Sequence, residues 1–178
     1  MQAMDNKMGN QQVTQTDLAW LAGIWDGEGH FSIRRTVVKN NAPQYNPRLG
    51  VTNSNVQILT RVREILDALE IGYYFREKDQ GGFDGSHKQV WLIAIETMVN
   101  AVKVIAAIRP YLVGKCFQAD CIMEYCTRRI KAFDRKQGNK ARKYTAEDFD
   151  LVRKVYEANG DIRGTSETIR QDAQRAMI

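Results

Sequence analysis

Between Asp17 and Val38 the apolar pattern changes period once, at two acids interleaved with glycines. Over DLAWLAGIWD the repeat is helical, with Leu18, Leu21 and Trp25 on one stripe. Directly afterwards HFSIRRTVV alternates Phe31, Ile33 and Arg35 against Ser32, Arg34 and Thr36, the period of a strand with one face buried. A helix that passes into a strand through Asp26-Gly27-Glu28-Gly29 restricts the chain to helices layered on a sheet. Thr16 reads as the N-cap of this helix, with Asp17 in its first turn. Gly27 is expected to carry the chain out of the helix at positive φ, and Gly29 to admit a close neighbour.

Two carboxylates at a helix C-terminus oppose the macrodipole, which favours lysine or arginine there. Either the acids are solvated at a plain helix stop, or they face a cation. A hard ion such as Mg²⁺ takes oxygen ligands of this kind, one or two carboxylates together with water and substrate phosphates. The helix also has a nearly bare stripe, Ala19, Ala22, Gly23 and Asp26. Small residues at that spacing let a second helix approach backbone to backbone, within one chain or between two copies.

Beyond the first strand, NNAPQYNP supplies turn residues and RLGVTN reads as the returning strand, with Leu49 and Val51 inward. VQILTRVREILDALEIG is amphipathic, with Ile58, Val62, Ile65, Leu66 and Leu69 as its stripe and Gly72 as its end. YYFREK and QVWLIAIE form a second hairpin around GGFDGSH, residues 97–109 are helical up to Pro110, and KCFQADCIMEYC begins another helix. Hairpins separated by helices predict an α+β fold with helices on one face of an antiparallel sheet. Alternation places Ser32, Arg34, Thr36, Arg48, Tyr74, Arg76, Lys78 and Gln89 on the other face. A polar, basic sheet face suits a DNA major groove, where arginine reads guanine and glutamine reads adenine. The formal charge of +5 agrees with an anionic partner.

Other classes are disfavoured. The longest apolar stretch, Met98 to Ile108, is broken by Asn100 and Lys103 and is too short for a bilayer. The polar start, MQAMDNKMGNQQ, lacks a secretory core, so an intracellular protein is expected. Cys116, Cys121 and Cys126 recur every five residues without metal spacing and read as buried small hydrophobes. His30 and His87 are isolated, and read as surface or DNA-side polar groups. The run from 128 to 143 carries eight basic residues against Asp134 and reads as a linker suited to phosphate contact. Residues 145–158 form a capped helix with Phe149, Val152, Val155 and Tyr156 as its stripe, stopped by Asn159-Gly160. A terminal helix opens at Thr165 or Ser166, where Arg163 and a helix start make a phosphate site. The expected organisation is a tail over 1–14, a core over 15–127, a basic linker over 128–143 and a helical extension over 144–178.

The stretch Leu21-Ala22-Gly23-Ile24-Trp25-Asp26-Gly27-Glu28-Gly29 resembles the signature of the LAGLIDADG homing endonucleases. Trp25 is bulkier than the usual aliphatic, and Glu28 stands where aspartate is commoner. One motif in 178 residues resembles the homodimeric branch, and the element order matches the αββαββα fold with its sheet saddle. Thr165-Ser166-Glu167-Thr168-Ile169-Arg170 is similar to the C-terminal helix start of such members. The resemblance implies a homodimer that cuts long, near-palindromic double-stranded DNA with Mg²⁺, or Mn²⁺ or Ca²⁺ as substitutes. It also covers relatives that are intron RNA maturases or non-catalytic DNA binders, and implies an organellar or prokaryotic setting. By the same resemblance, Glu28 is the metal-binding acid, with the Gly27 carbonyl as a further ligand, and Asp26 is structural at the helix-pair end. Lys115 follows a Pro-aromatic-Leu segment, as a catalytic lysine does in the family. Asn53, with Asn55 and Gln57 as alternatives, falls in the solvent network around the metals.

Overall fold

Thr14, two residues before the expected cap, starts the first helix. Its hydroxyl accepts the Asp17 N–H while the Asp17 carboxylate accepts the Thr14 N–H, a reciprocal box that Thr16 cannot form with an acid at the same offset. The computed structural model describes residues 12–37, 42–78, 89–134, 140–141, 143–160 and 165–176. Helix α1 (Gln15–Glu28) buries Leu21, Ala22 and Trp25 and runs straight into strand β1 (Gly29–Thr36) with no loop between them. Gly27 is helical and not at positive φ, because the turn is made two residues later by Gly29 with extended backbone.

Strand β2 (Gln44–Asn53) pairs antiparallel with β1 from Gly29↔Val51 to Thr36↔Gln44. It is longer than the sequence pattern implies, since Gln44, Tyr45, Asn46 and Pro47 are strand and not turn. Pro47 is tolerated because β2 meets its other neighbour only over Leu49–Asn53, so no ladder bond is lost there. Helix α2 (Val56–Ala68) follows, capped by Asn55, whose side chain accepts the Gln57 N–H. Its buried face is Leu59, Val62, Ile65 and Leu66, with Ile58 at the margin. The helix does not end on Gly72. Glu70 takes the left-handed position at φ 53, and the Ile71 N–H returns to the Leu66 carbonyl.

Strands β3 (Tyr74–Glu77) and β4 (Trp91–Ile95) complete a sheet of order β1-β2-β4-β3. Helix α3 (Met98–Ile108), capped by Thr97, passes through a 3₁₀ turn at Arg109–Tyr111 into helix α4 (Cys116–Lys131). Two-residue strands β5 (Phe133–Asp134) and β6 (Lys140–Ala141) pair with each other. Helix α5 (Ala146–Ala158) carries a second capping box, Thr145 with Asp148, and ends at Gly160 with φ +70. Helix α6 (Thr165–Ala176) closes the described chain.

All helices with buried stripes feed one core beneath the sheet. Phe31, Ile33, Leu49, Val51, Ile93 and Ile95 face it, and Phe149, Val152, Val155 and Ile169 of the last two helices join the same cluster. The helical extension is therefore part of the core, not an appendage. Arg128 and Arg129, expected in a linker, lie in the last turn of α4 and pair with buried Asp148. Cys121 and Cys126 are buried, and burial pushes the Cys126 thiol up to about 12. No described helix is long and apolar enough to cross a membrane.

Candidate active site and outward sheet face

The two acids at the end of α1 have separate fates. Asp26 accepts N–H groups from Val113 at 2.7 Å and Lys115 at 3.0 Å, tying α1 to the turn before α4. Burial pushes its carboxyl up, but the N–H groups of Val113, Gly114 and Lys115, with the Lys115 charge, outweigh it and hold the pKa below 3.8. That pairing stabilises the fold above pH about 3.8 and is lost as pH falls through the depressed value. Asp26→Asn is expected to lower stability by about 1–2 kcal/mol near neutrality. The deficit should shrink below about pH 4 in denaturant melts taken across pH.

Lys115 answers the dipole problem. Its ammonium donates to the Trp25 carbonyl at 2.9 Å and the Gly29 carbonyl at 2.6 Å, so a cation from a distant segment sits on the helix end. Burial lowers its pKa from 10.5, opposed by Asp26 and Glu28. Glu28 is the last helical residue and is exposed, and its carboxylate takes no hydrogen bond or ion pair among the described residues. Its neighbour Gly29 opposes Val51, so it stands at the end of the sheet where Thr52 and Asn53 finish β2. The Asn53 side-chain Oδ1 accepts the Asn55 N–H at 2.8 Å in a turn into α2. Asn55 is occupied as the α2 cap, and Gln57 lines a cleft with Ser54, Val56, Gln89 and Trp91.

The bare stripe of α1 is narrower than expected. Ala22 is fully buried by its own chain, and the half-buried Asp26 is engaged with residues 113–115. Ala19, Gly23 and Gly27 lie on the open side, together with the half-exposed Trp20 that spacing alone did not single out. A Cβ added at Gly23 or Gly27 would meet nothing within 4 Å. Val113 and Phe117 add exposed apolar surface at the turn into α4 and on its first residues.

The outward sheet face follows from register. His30, Ser32, Arg34 and Thr36 of β1 lie opposite Gly50, Arg48, Asn46 and Gln44 of β2, and Thr52, Leu92 and Arg76 form a further row. Tyr74, Arg76 and Lys78 are exposed beside them. Gln44 and Asn46 were hidden from the sequence pattern by Pro47, although the alternation continues through it. Gln89 does not join this face. It shares the parity of Trp91 and lines the cleft at the start of α2. Thr165 opens α6, but its side chain, like all of Arg163 and His87, lies outside the described residues.

His30 sits on Gly50, where an added Cβ would come within 2.7 Å of its Cε1 and of the Ile93 carbonyl. Burial lowers its pKa below 6.5, and Arg48, Lys78 and Lys115 lower it further. Arg48 and Lys78 belong to this face, and Lys115 acts from the end of α1. Glu96 brings an acid to this face, 3.9 Å from the Arg48 Nε.

Comparison with known proteins agrees with this arrangement. The homing endonuclease I-CvuI, in complex with its target in the presence of Ca, matches with TM-score 0.63 at 16% identity, over 91% of this chain and 95% of that one. The archaeal intron-encoded homing endonuclease I-Vdi141I, complexed with DNA, matches with TM-score 0.65 at 15% identity, over 90% and 96%. The meganuclease I-SmaMI, bound to uncleaveable DNA, matches with TM-score 0.53 at 12% identity, over 82% of this chain but 44% of that one. No curated protein sequence matches. A family model described as a LAGLIDADG-like domain matches residues 15–108, from the capped start of α1 to the end of α3. With that match over more than half its length, and the motif placed at the junction of α1 and β1, the chain belongs to the LAGLIDADG-like domain family.

Proposed function

We propose that the chain is a homodimeric, divalent-metal-dependent endonuclease that makes site-specific double-strand breaks in long, near-palindromic DNA. One observation carries the reading: the exposed Glu28 carboxylate, unpaired among the described residues, stands at the end of a sheet face that carries Arg34, Arg48, Arg76 and Lys78, beside an open helix stripe. The chain spans I-CvuI nearly end to end but less than half of I-SmaMI, which supports two copies doing what one longer chain does there.

The donor chemistry fits a hard cation. Glu28 would supply its carboxylate and Gly27 its carbonyl oxygen, with the rest of the shell coming from a second protomer, water and phosphate. Among the described residues no group of three or more His, Cys, Asp or Glu side chains is placed to hold a metal. A bound divalent ion supplies charge stabilisation for the attacking and leaving oxygens of phosphodiester hydrolysis.

The chain's own residues do the positioning. Asp26 fixes the turn that delivers Lys115, and the Lys115 ammonium on the Trp25 and Gly29 carbonyls offsets the negative helix end at which Glu28 stands. Lys115 also adds a fixed positive charge beside any phosphate at this edge. Ser32, Arg34, Thr36, Arg48, Asn46, Gln44, Tyr74, Arg76 and Lys78 would lie along the major groove on either side of the cut.

The test is incubation of a duplex selected from a random library with the purified chain, with Mg²⁺ and with EDTA, beside sedimentation. A dimer that cuts both strands only with the metal is expected. Binding that persists without cutting would leave a non-catalytic DNA binder, and a monomer indifferent to duplex would end the proposal.

A further inference from the structure

Among the described residues, the part of the β1–β2 hairpin from Gln44 to Arg48 has no third strand, because β4 pairs only over Leu49–Asn53. A free two-stranded ribbon twists readily, yet this one is held. The Tyr45 N–H donates to the Tyr144 hydroxyl at 3.1 Å, and the Tyr125 hydroxyl donates to the Tyr45 carbonyl at 2.7 Å. Arg35 and Tyr45 form one cross-strand pair, and both reach the same buried carboxylate on α6. Asp172 accepts the Arg35 Nε at 2.6 Å, the Arg35 Nη2 at 3.0 Å and the Tyr45 hydroxyl at 2.6 Å. The rungs on either side, Arg34↔Asn46 and Thr36↔Gln44, point the opposite way, onto the outward face.

We infer that Asp172 is a positioning residue for base recognition: by clamping the Arg35–Tyr45 rung from the core side, it sets where Arg34, Asn46, Thr36 and Gln44 stand. This rests on the nuclease reading above. Reading base edges requires side chains held to a fraction of an ångström, which a free hairpin end does not provide. Removing the carboxylate charge leaves Arg35 without its partner beneath the ribbon and frees the rung. The clamp also gives α6 a role that its distance from the cleavage edge would not suggest.

The experiment compares base discrimination across a randomised target library for the parental chain, Arg34→Ala and Asp172→Asn. Arg34→Ala maps the base pairs read by this part of the hairpin. Asp172→Asn is expected to lose discrimination about tenfold at those same positions and to keep it elsewhere. Its KM should rise while kcat is unchanged. In hydrogen exchange, without DNA, the amides of residues 34–36 and 44–46 should exchange about tenfold faster, and those of 49–53 at the parental rate. A parental base profile, or an even loss at every position, would overturn the inference. Should Asp172→Asn fail to fold, Tyr45→Phe removes one of the three bonds and is read by the same criteria. If the parental chain retains no duplex, the nuclease reading fails, while the exchange result still shows whether Asp172 holds the hairpin.

Discussion

Glu28→Gln is expected to reduce cleavage by about 10³-fold or more while leaving the fold and duplex binding intact. The side chain is exposed and unpaired among the described residues, so the amide disturbs no packing and breaks no internal bond. What it removes is a negative charge at the one place where the helix dipole and the Asp26 carboxylate are already satisfied by Lys115 and the turn before α4. A hard cation binds a neutral amide oxygen far more weakly than a carboxylate. Single-turnover cleavage beside a gel-shift measurement checks this. Equal cutting by both forms would place the chemistry elsewhere, and lost binding would make Glu28 a DNA contact.

Gly29→Ala should destabilise the chain by about 2–3 kcal/mol, because its new methyl has nowhere to go. A Cβ there would stand 2.8 Å from the Trp25 Cα, Cδ1 and carbonyl oxygen, and two of those atoms are backbone that cannot rotate away. The close approach is what allows a helix to become a strand without a loop and sets both carbonyls on Lys115. For a chain of this size the loss corresponds to about 5–10 °C in melting temperature. Gly27→Ala is the internal control: it is helical, has open space around it, and should be neutral or mildly stabilising in the monomer. Equal melting of the two variants would mean that the helix end yields more easily than its packing indicates.

Much of the fold was legible because burial on one face imposes a period. Helix α2, strand β1 and helix α5 follow directly from where their apolar residues recur. Local chemistry was legible too when read in full: the Thr14–Asp17 spacing announces the cap more strongly than Thr16 does. Misreadings came where one residue type has two uses. Pro47 looked like a turn but occupies an unpaired strand edge, which hid Gln44 and Asn46. Gly72 looked like a helix stop, whereas Glu70 adopts the left-handed position and the Gly72 carbonyl instead accepts the Asn100 side chain. Alternation put Gln89 on the outward face, yet it shares the parity of Trp91 and lines the cleft at the start of α2.

The linear order of residues alone determines the order of the helices and of the four strands of the main sheet, the polar and basic character of one sheet face, and the placement of Glu28 at the end of the motif helix. Those properties depend on neighbours a few positions apart, and short-range periodicity encodes them. Only the folded chain decides which acid is free, which helix face is open and what holds the hairpin end. Asp26, Lys115 and Asp172 each act on partners roughly ninety or more residues away. Contacts of that range depend on how the layers pack, and no local pattern records them.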